Sequence, residues 1–232
     1  NNEEQQAILS EILATEILEN LNMIPFVHYK LYIENYRLCS CCKNFVDQNE
    51  EFVPAWYIYR AYENLCLKED SSKEDIYNTL LKAADYFNIA NAKEDIDRMI
   101  IVDRIIMNFD RHLGNFGFMR DVDTGKYTRF APLFDFGNAF FPDKMETTKE
   151  RYIFGNRMKE LLCDEKIVKG IKVVKEATKS PYLNIPEFIG LKDIIVRNIN
   201  LNTKELEIDI ESLKKKKRER EKDKDNISMS IL

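Results

Sequence analysis

From Lys93 to Met107 the chain reads as a helix whose Ile96, Met99, Ile100, Val102, Ile105 and Ile106 cover most of its circumference. Such a helix is satisfied only at the centre of a domain, so the segments on either side of it must wrap around it. Its last turn runs directly into Asn108-Phe109-Asp110. A rigid, buried element therefore delivers a polar loop to the edge of the core.

That loop, Asp110-Arg111-His112-Leu113-Gly114-Asn115, is followed by Asp135-Phe136-Gly137. An Asp five residues before an Asn, with Asp-Phe-Gly downstream, is the arrangement of phosphoryl-transfer chemistry. One Asp receives the proton of the attacking hydroxyl, while the Asn and the second Asp hold Mg²⁺ against the phosphates of ATP. The metal is needed because charge spreads over the phosphate oxygens as the bond to the donor breaks, and two oxygen-ligand side chains fix the ion that neutralises it.

On this reading Asp110 is the candidate base, and Asn115 and Asp135 are the candidate metal and nucleotide ligands. Phe136 is expected to pack beneath Asp135, with Gly137 letting the backbone turn sharply. His112, also a candidate catalytic residue, either orients the loop by hydrogen bonding or touches the phosphates. Arg111 either pairs with a carboxylate to brace the loop or contacts phosphate. The bland alternatives are a loop Asp capping nearby amides, a structural His and an aromatic-rich strand over 134–141. Each explains one residue, but none explains the shared spacing.

Ahead of the central helix, residues 3–22 have the 3.6 spacing of a helix, with Ile8, Leu9, Ile12, Leu13, Ile17 and Leu21 on one side. Phe26–Ile33 and Arg37–Phe45 flank Glu34-Asn35 as a β-hairpin. Pro54 opens a helix containing Trp56, Tyr57, Tyr59 and Tyr62, and Ser71-Ser72 before Glu74 and Asp75 starts another through Phe87. Asn115–Met119 and Tyr127–Phe130 read as strands around Asp123-Thr124-Gly125. Beyond Pro142 helices are expected over 157–178, interrupted near Gly170, then 186–200 and 203–222. Lys214–Arg218 and the mixed charges after it read as a solvated helix end rather than a nucleic-acid patch.

Composition narrows the class. With 44% hydrophobic and 11% aromatic residues, 232 residues suit an ordered globular chain of one large domain or two small lobes. A net charge of −5 makes no general case for nucleic acid, and no apolar run is long enough to span a bilayer. The first thirty residues do not read as a signal peptide, so the expected location is the cytoplasm. Three of the five cysteines crowd into Cys39-Ser40-Cys41-Cys42, but Cys66 and Cys163 stand alone and the only histidines are His28 and His112. Without a second cluster at ligand spacing, these cysteines read as small residues on a buried strand in a reducing compartment, not as a metal site.

All seven glycines lie at or after Gly114, so no glycine-rich loop precedes the motif. Lys30 is the one Lys in the first forty-two residues and follows the first helix, where it reads as an exposed strand residue. Glu11 or Glu16 is the candidate helix partner of a phosphate-binding Lys. With Asn1 as the first residue, the simplest reading is a chain whose nucleotide-covering half is incomplete.

The run from Ile106 to Gly117, and Ala131-Pro132-Leu133-Phe134-Asp135-Phe136-Gly137, resemble the C-terminal kinase domain of the HipA-like serine/threonine kinases. Cys42–Phe45 and Phe52–Trp56 resemble that family's second strand and its connection to the helical lobe, so the resemblance covers roughly 8–141. It implies an α+β, mostly helical fold: a protein-kinase-like C-terminal lobe with a partial small lobe of one helix and a β-hairpin. The expected division is a partial N-lobe over 1–52, a helical C-lobe over 53–203 and a charged tail over 204–232. The resemblance further implies Asp110 as base, Asn115 and Asp135 as Mg²⁺ ligands, ATP as donor and a protein serine or threonine as acceptor. Family members often pair with a DNA-binding antitoxin, which makes such a protein an expected partner. Two alternatives stay open: a pseudokinase that binds without transfer, and a phosphoinositide kinase. The lipid reading is the weaker, because residues 143–151 are mixed in sign rather than basic.

Overall fold

The computed structural model describes residues 2–66, 75–141 and 152–229. The chain opens with α1 (Asn2–Leu21), whose Leu9, Leu13, Ile17 and Leu21 are fully buried. A hairpin of β1 (Lys30–Glu34) and β2 (Arg37–Cys41) packs one face on it. Asn35 and Tyr36 both take left-handed φ, 49° and 61°, the pair of positive values that a two-residue turn between right-twisted strands requires. The strands are shorter than their apolar runs because residues 26–29 are drawn elsewhere. The Val27 N–H donates to the Leu133 carbonyl at 2.8 Å, which lays this segment alongside the approach to Asp135.

A second sheet, in the order β3 (Glu50–Pro54), β4 (Gly117–Asp121), β5 (Tyr127–Phe130), is antiparallel throughout. Both strands of the hairpin expected after the motif loop are present, while β3 is an addition. Pro54 ends β3 and immediately precedes α2 (Ala55–Cys66). The following α3 (Ile76–Tyr86) ends where expected, but Ser71, Ser72 and Glu74, which the capping reading invoked, lie outside the described residues, as do residues 143–151.

The central helix forms as α4 (Ala92–Ile106), with Ile96, Met99, Ile100, Val102, Ile105 and Ile106 at zero exposure. Each such side chain contributes about 1.5–3 kcal/mol by leaving water, so this helix fixes where everything around it must sit. Against it and α1 pack α5 (Gly155–Glu160), α6 (Glu165–Glu176) and the 41-residue α7 (Ile189–Met229), with 3₁₀ turns between them.

Two expected helix boundaries move. The helix over 157–178 breaks not at Gly170 but at 161–164, where Asp164 accepts the Lys166 N–H at 2.8 Å and starts α6. Gly170 stays helical and is a contact point: a Cβ there would stand 2.2 Å from Ile105 Cδ1. Nor does a break separate 186–200 from 203–222. Asn202, in the gap between the two expected helices, is buried and donates to the Ile105 carbonyl at 3.2 Å while accepting from Arg104, so it joins α7 to α4. From Lys214 to Glu219 every residue of α7 is exposed, the solvated face expected of that charge run.

The cysteine expectation is corrected. Cys41 and Cys42 are exposed and Cys39 is half-buried, because the hairpin covers only its Leu31 and Leu38 side against the core. No described helix is long and apolar enough to cross a membrane.

Candidate active site

The site begins with the way α4 ends. Met107 takes a left-handed φ of 59° and its N–H returns to the Asp103 carbonyl, which turns the chain off the helix axis into the motif loop. Asp103, one turn earlier and fully buried, anchors that loop from beneath. Its carboxylate accepts Arg111 Nη2 at 2.9 Å and Nε at 3.1 Å, Asn108 Nδ2 at 3.2 Å and the Tyr152 hydroxyl at 3.0 Å. Arg111 spends its remaining donor, Nη1, on the Asn115 carbonyl at 3.0 Å and the Phe134 carbonyl at 2.7 Å. Of its two readings, the brace is therefore the one the geometry takes: a single guanidinium ties together both halves of the motif. Burial pulls its pKa down, but the Asp103 carboxylate outweighs that and holds the charge firmly in place. Among the described residues no buried side-chain polar atom lacks a partner.

The motif side chains converge above this brace. Asn115 Nδ2 donates to Asp135 Oδ2 at 3.1 Å, and Asn115 Oδ1 accepts the His112 N–H at 3.0 Å. Asp110 is exposed and accepts Asn138 Nδ2 at 2.7 Å. The His112 ring turns inward on its own loop, Nδ1 accepting the Gly114 N–H at 3.1 Å, which is the orienting role. Asp135 itself sits at φ 61°, a conformation that a non-glycine residue holds only at a cost of order 1–3 kcal/mol. Its N–H is pinned by the Tyr29 hydroxyl at 3.2 Å, and Phe136 beneath it is fully buried with the Arg111 guanidinium 5.6 Å above the ring. The sharp turn expected of Gly137 thus falls on Asp135 instead. Gly137 serves close approach, its missing Cβ leaving 3.3 Å to Ala7 Cβ of α1.

α1 supplies the fourth side. Of the two candidate glutamates, Glu11 faces the site: it accepts the Ser40 hydroxyl and a hydrogen bond from Tyr29, and feels the Asp135 carboxylate. Glu16 points away and accepts the Ser180 hydroxyl at 2.6 Å. Burial raises the Glu11 pKa, with Asp135 adding to it and the two hydroxyls only partly offsetting it. A carboxylic acid favoured in its protonated form in the folded state makes stability fall as pH rises through and above the ordinary carboxylate range. Glu11→Gln should therefore be more stable than the parent chain at pH 7, with the difference vanishing as pH falls below that range. Thermal melts across pH 4–8 check this, and a difference that grows toward low pH would refute it.

The donor set suits Mg²⁺. Asn115 and Asp135 bring a side-chain amide and a carboxylate to one locus, few enough ligands to leave positions for water and phosphate oxygens, which this ion prefers; the amide meets Asp135 through Nδ2, and its oxygen, the atom that would ligate the ion, accepts the His112 N–H. Among the described residues no three His, Cys, Asp or Glu side chains form a closed metal cage. A cavity of about 670 Å³, lined by Phe26, His28, Lys30, Phe45 and Pro132 among others, lies beside the hairpin and includes none of the motif residues. Asp103, Tyr152, Asn138, Tyr29 and Ser40 were not singled out from sequence. Only Asp103 left a trace there, as an acid embedded in the apolar run of the central helix.

A helical lobe with an Asp-x₄-Asn loop beside an Asp-Phe-Gly segment defines a kinase-like fold. The structure is similar to the crystal structure of the Helicobacter pylori proinflammatory kinase CtkA, with a TM-score of 0.63 at 17% identity over 89% of this chain and 86% of that one. In sequence the chain is 30% identical over 137 residues to the serine/threonine-protein kinase CtkA of Helicobacter pylori strain J99. That alignment covers 57% of this chain and 40% of the relative's length. No protein-family model matches the chain. These likenesses support a kinase-like function.

Proposed function

We propose that this chain carries the catalytic and metal-binding loops of an ATP- and Mg²⁺-dependent kinase that phosphorylates serine or threonine in proteins. The observation that carries the proposal is the contact between Asn115 and Asp135, two residues twenty apart in sequence held together by the Arg111 brace. Asn115 and Asp135 would hold Mg²⁺, which when bound supplies the positive charge that neutralises the phosphate oxygens. Asp110, exposed and oriented by Asn138, accepts the proton of the acceptor hydroxyl. His112 acts as a positioning residue, setting the turn from which Asn115 projects. Residues 1–52 belong, in this reading, to the lobe that covers the nucleotide, and Glu11 is the carboxylate that meets its phosphate-binding cation. The HipA-like resemblance also brings a DNA-binding protein partner into the proposal, to be sought by co-purification.

Calorimetric titration of the chain with Mg²⁺-ATP tests the site directly. Saturable binding that depends on Mg²⁺ and is lost in Asp135→Ala is the expected result. Binding that survives that change, or needs no Mg²⁺, would remove Asp135 from the metal site. Binding without phosphoryl transfer would favour the pseudokinase alternative.

A further inference from the structure

On β2 the side chains alternate between two faces. Ser40 points toward α1 and donates its hydroxyl to Glu11, whereas Cys39 and Cys41 on either side of it point away from α1. Their Sγ atoms stand 3.8 Å apart, both thiols are free, and the Cys39 thiol also reaches the Tyr32 carbonyl at 3.6 Å. Across the hairpin Tyr32 faces Cys39 and Lys30 faces Cys41, both of them exposed, so this side of the sheet is open to small solutes. A thiophilic metal would need further ligands, and no third His, Cys, Asp or Glu joins the pair among the described residues. What two adjacent free thiols can do without further ligands is exchange electrons with each other.

We propose that Cys39 and Cys41 form a dithiol modification site, oxidised by a peroxide to an intrastrand disulfide that displaces Ser40 from Glu11. The exposed Cys41 sulfur, as thiolate, attacks the peroxide. An S–O bond forms, the O–O bond breaks, and the hydroxide released takes up the thiol proton as water. Cys39 then attacks the Cys41 sulfenic acid: the S–S bond forms, the S–O bond breaks, and the departing hydroxide takes the Cys39 proton as a second water. Two thiols are oxidised and one peroxide is reduced. The order follows from the thiols' settings. Cys41 is the exposed thiol and meets the peroxide first, whereas Cys39 is half-buried, and partial desolvation and the neighbouring Cys41 raise its pKa, which disfavours its thiolate in that first step.

The coupling to Glu11 is geometric. Residues two apart on an extended strand have Cα atoms about 6.6 Å apart, near the upper limit of about 6.8 Å that a disulfide spans. The sulfurs must also close from 3.8 Å to about 2.05 Å. Closure therefore draws the strand together at Ser40, the residue whose hydroxyl reaches across to the helix. The thiol chemistry is independent of the phosphoryl-transfer reading.

The test uses the chain carrying C42S, C66S and C163S, exposed to a small excess of hydrogen peroxide. The expected product has lost two hydrogens in its intact mass, maps to a looped peptide containing residues 39–41 and reverts with dithiothreitol. Amide exchange over residues 37–41 and around Glu11 should quicken on oxidation and recover on reduction. Adding C39S or C41S should abolish the two-hydrogen loss. Disulfide-linked dimers, or sulfinic acids without a loop, would overturn the site, and a loop that leaves amide exchange unchanged would overturn its coupling to Glu11.

Discussion

Replacing Asp103 with Ala will lower the unfolding free energy by about 3–5 kcal/mol, the cost of leaving a buried guanidinium without its counter-charge. The Asp103 and Arg111 side chains are both at zero exposure, so water cannot replace the lost carboxylate. The Tyr152 hydroxyl and the Asn108 amide lose an acceptor in the same change. Against a total stability of about 5–15 kcal/mol for a folded domain, the loss is a large fraction of what holds the chain together. The control is Arg129 with Glu50, paired at 2.6 Å on the open side of the second sheet. There the Arg is 40% exposed, and removing it should cost under about 1 kcal/mol. Urea unfolding at constant m-value measures both. A loss in Asp103→Ala no larger than in the control would show that the network under the motif loop does not carry its geometry.

Asp110→Asn should reduce phosphoryl transfer about 10²–10⁴-fold while leaving the fold intact. The two effects separate because of where Asp110 sits. It is exposed, and its carboxylate accepts a hydrogen bond from Asn138, which an amide oxygen at the same position can also accept. Unfolding should therefore shift by no more than about 0.5 kcal/mol. The assay is transfer of the γ-phosphoryl group of ATP to a protein acceptor, with parent and variant compared under the conditions that give turnover. Undiminished turnover in the variant would take the base role from Asp110. A drop in rate matched by a drop in stability would assign it a structural one.

The motif was legible because its information is short-range. The Asp110 to Asn115 spacing, the Asp135-Phe136-Gly137 tripeptide and the apolar run of the central helix are each contained in a few turns of chain, and the structure places those segments together. The hairpin and the helix over the first twenty residues were readable for the same reason, although the turn falls on Asn35-Tyr36, one residue beyond the expected Glu34-Asn35. What misled was polarity taken as punctuation. Asn202 and Gly170 look like helix interruptions, yet Asn202 bonds the end of α4 and Gly170 yields space to Ile105. The cysteines misled in the opposite sense, as small apolar residues assumed to be covered.

By itself the sequence determined which side chains could do chemistry and how far apart they lie along the chain, since spacing and helical period are properties of the covalent backbone. Only the tertiary structure decided that Glu11 rather than Glu16 faces Asp135, that Arg111 braces the loop through Asp103, and that the Cys39–Cys41 face is open. Each of those depends on which surfaces meet in the folded chain, which no local pattern encodes. Burial then sets the outcome, because a charge or thiol is paired, neutralised or left reactive according to the water it keeps.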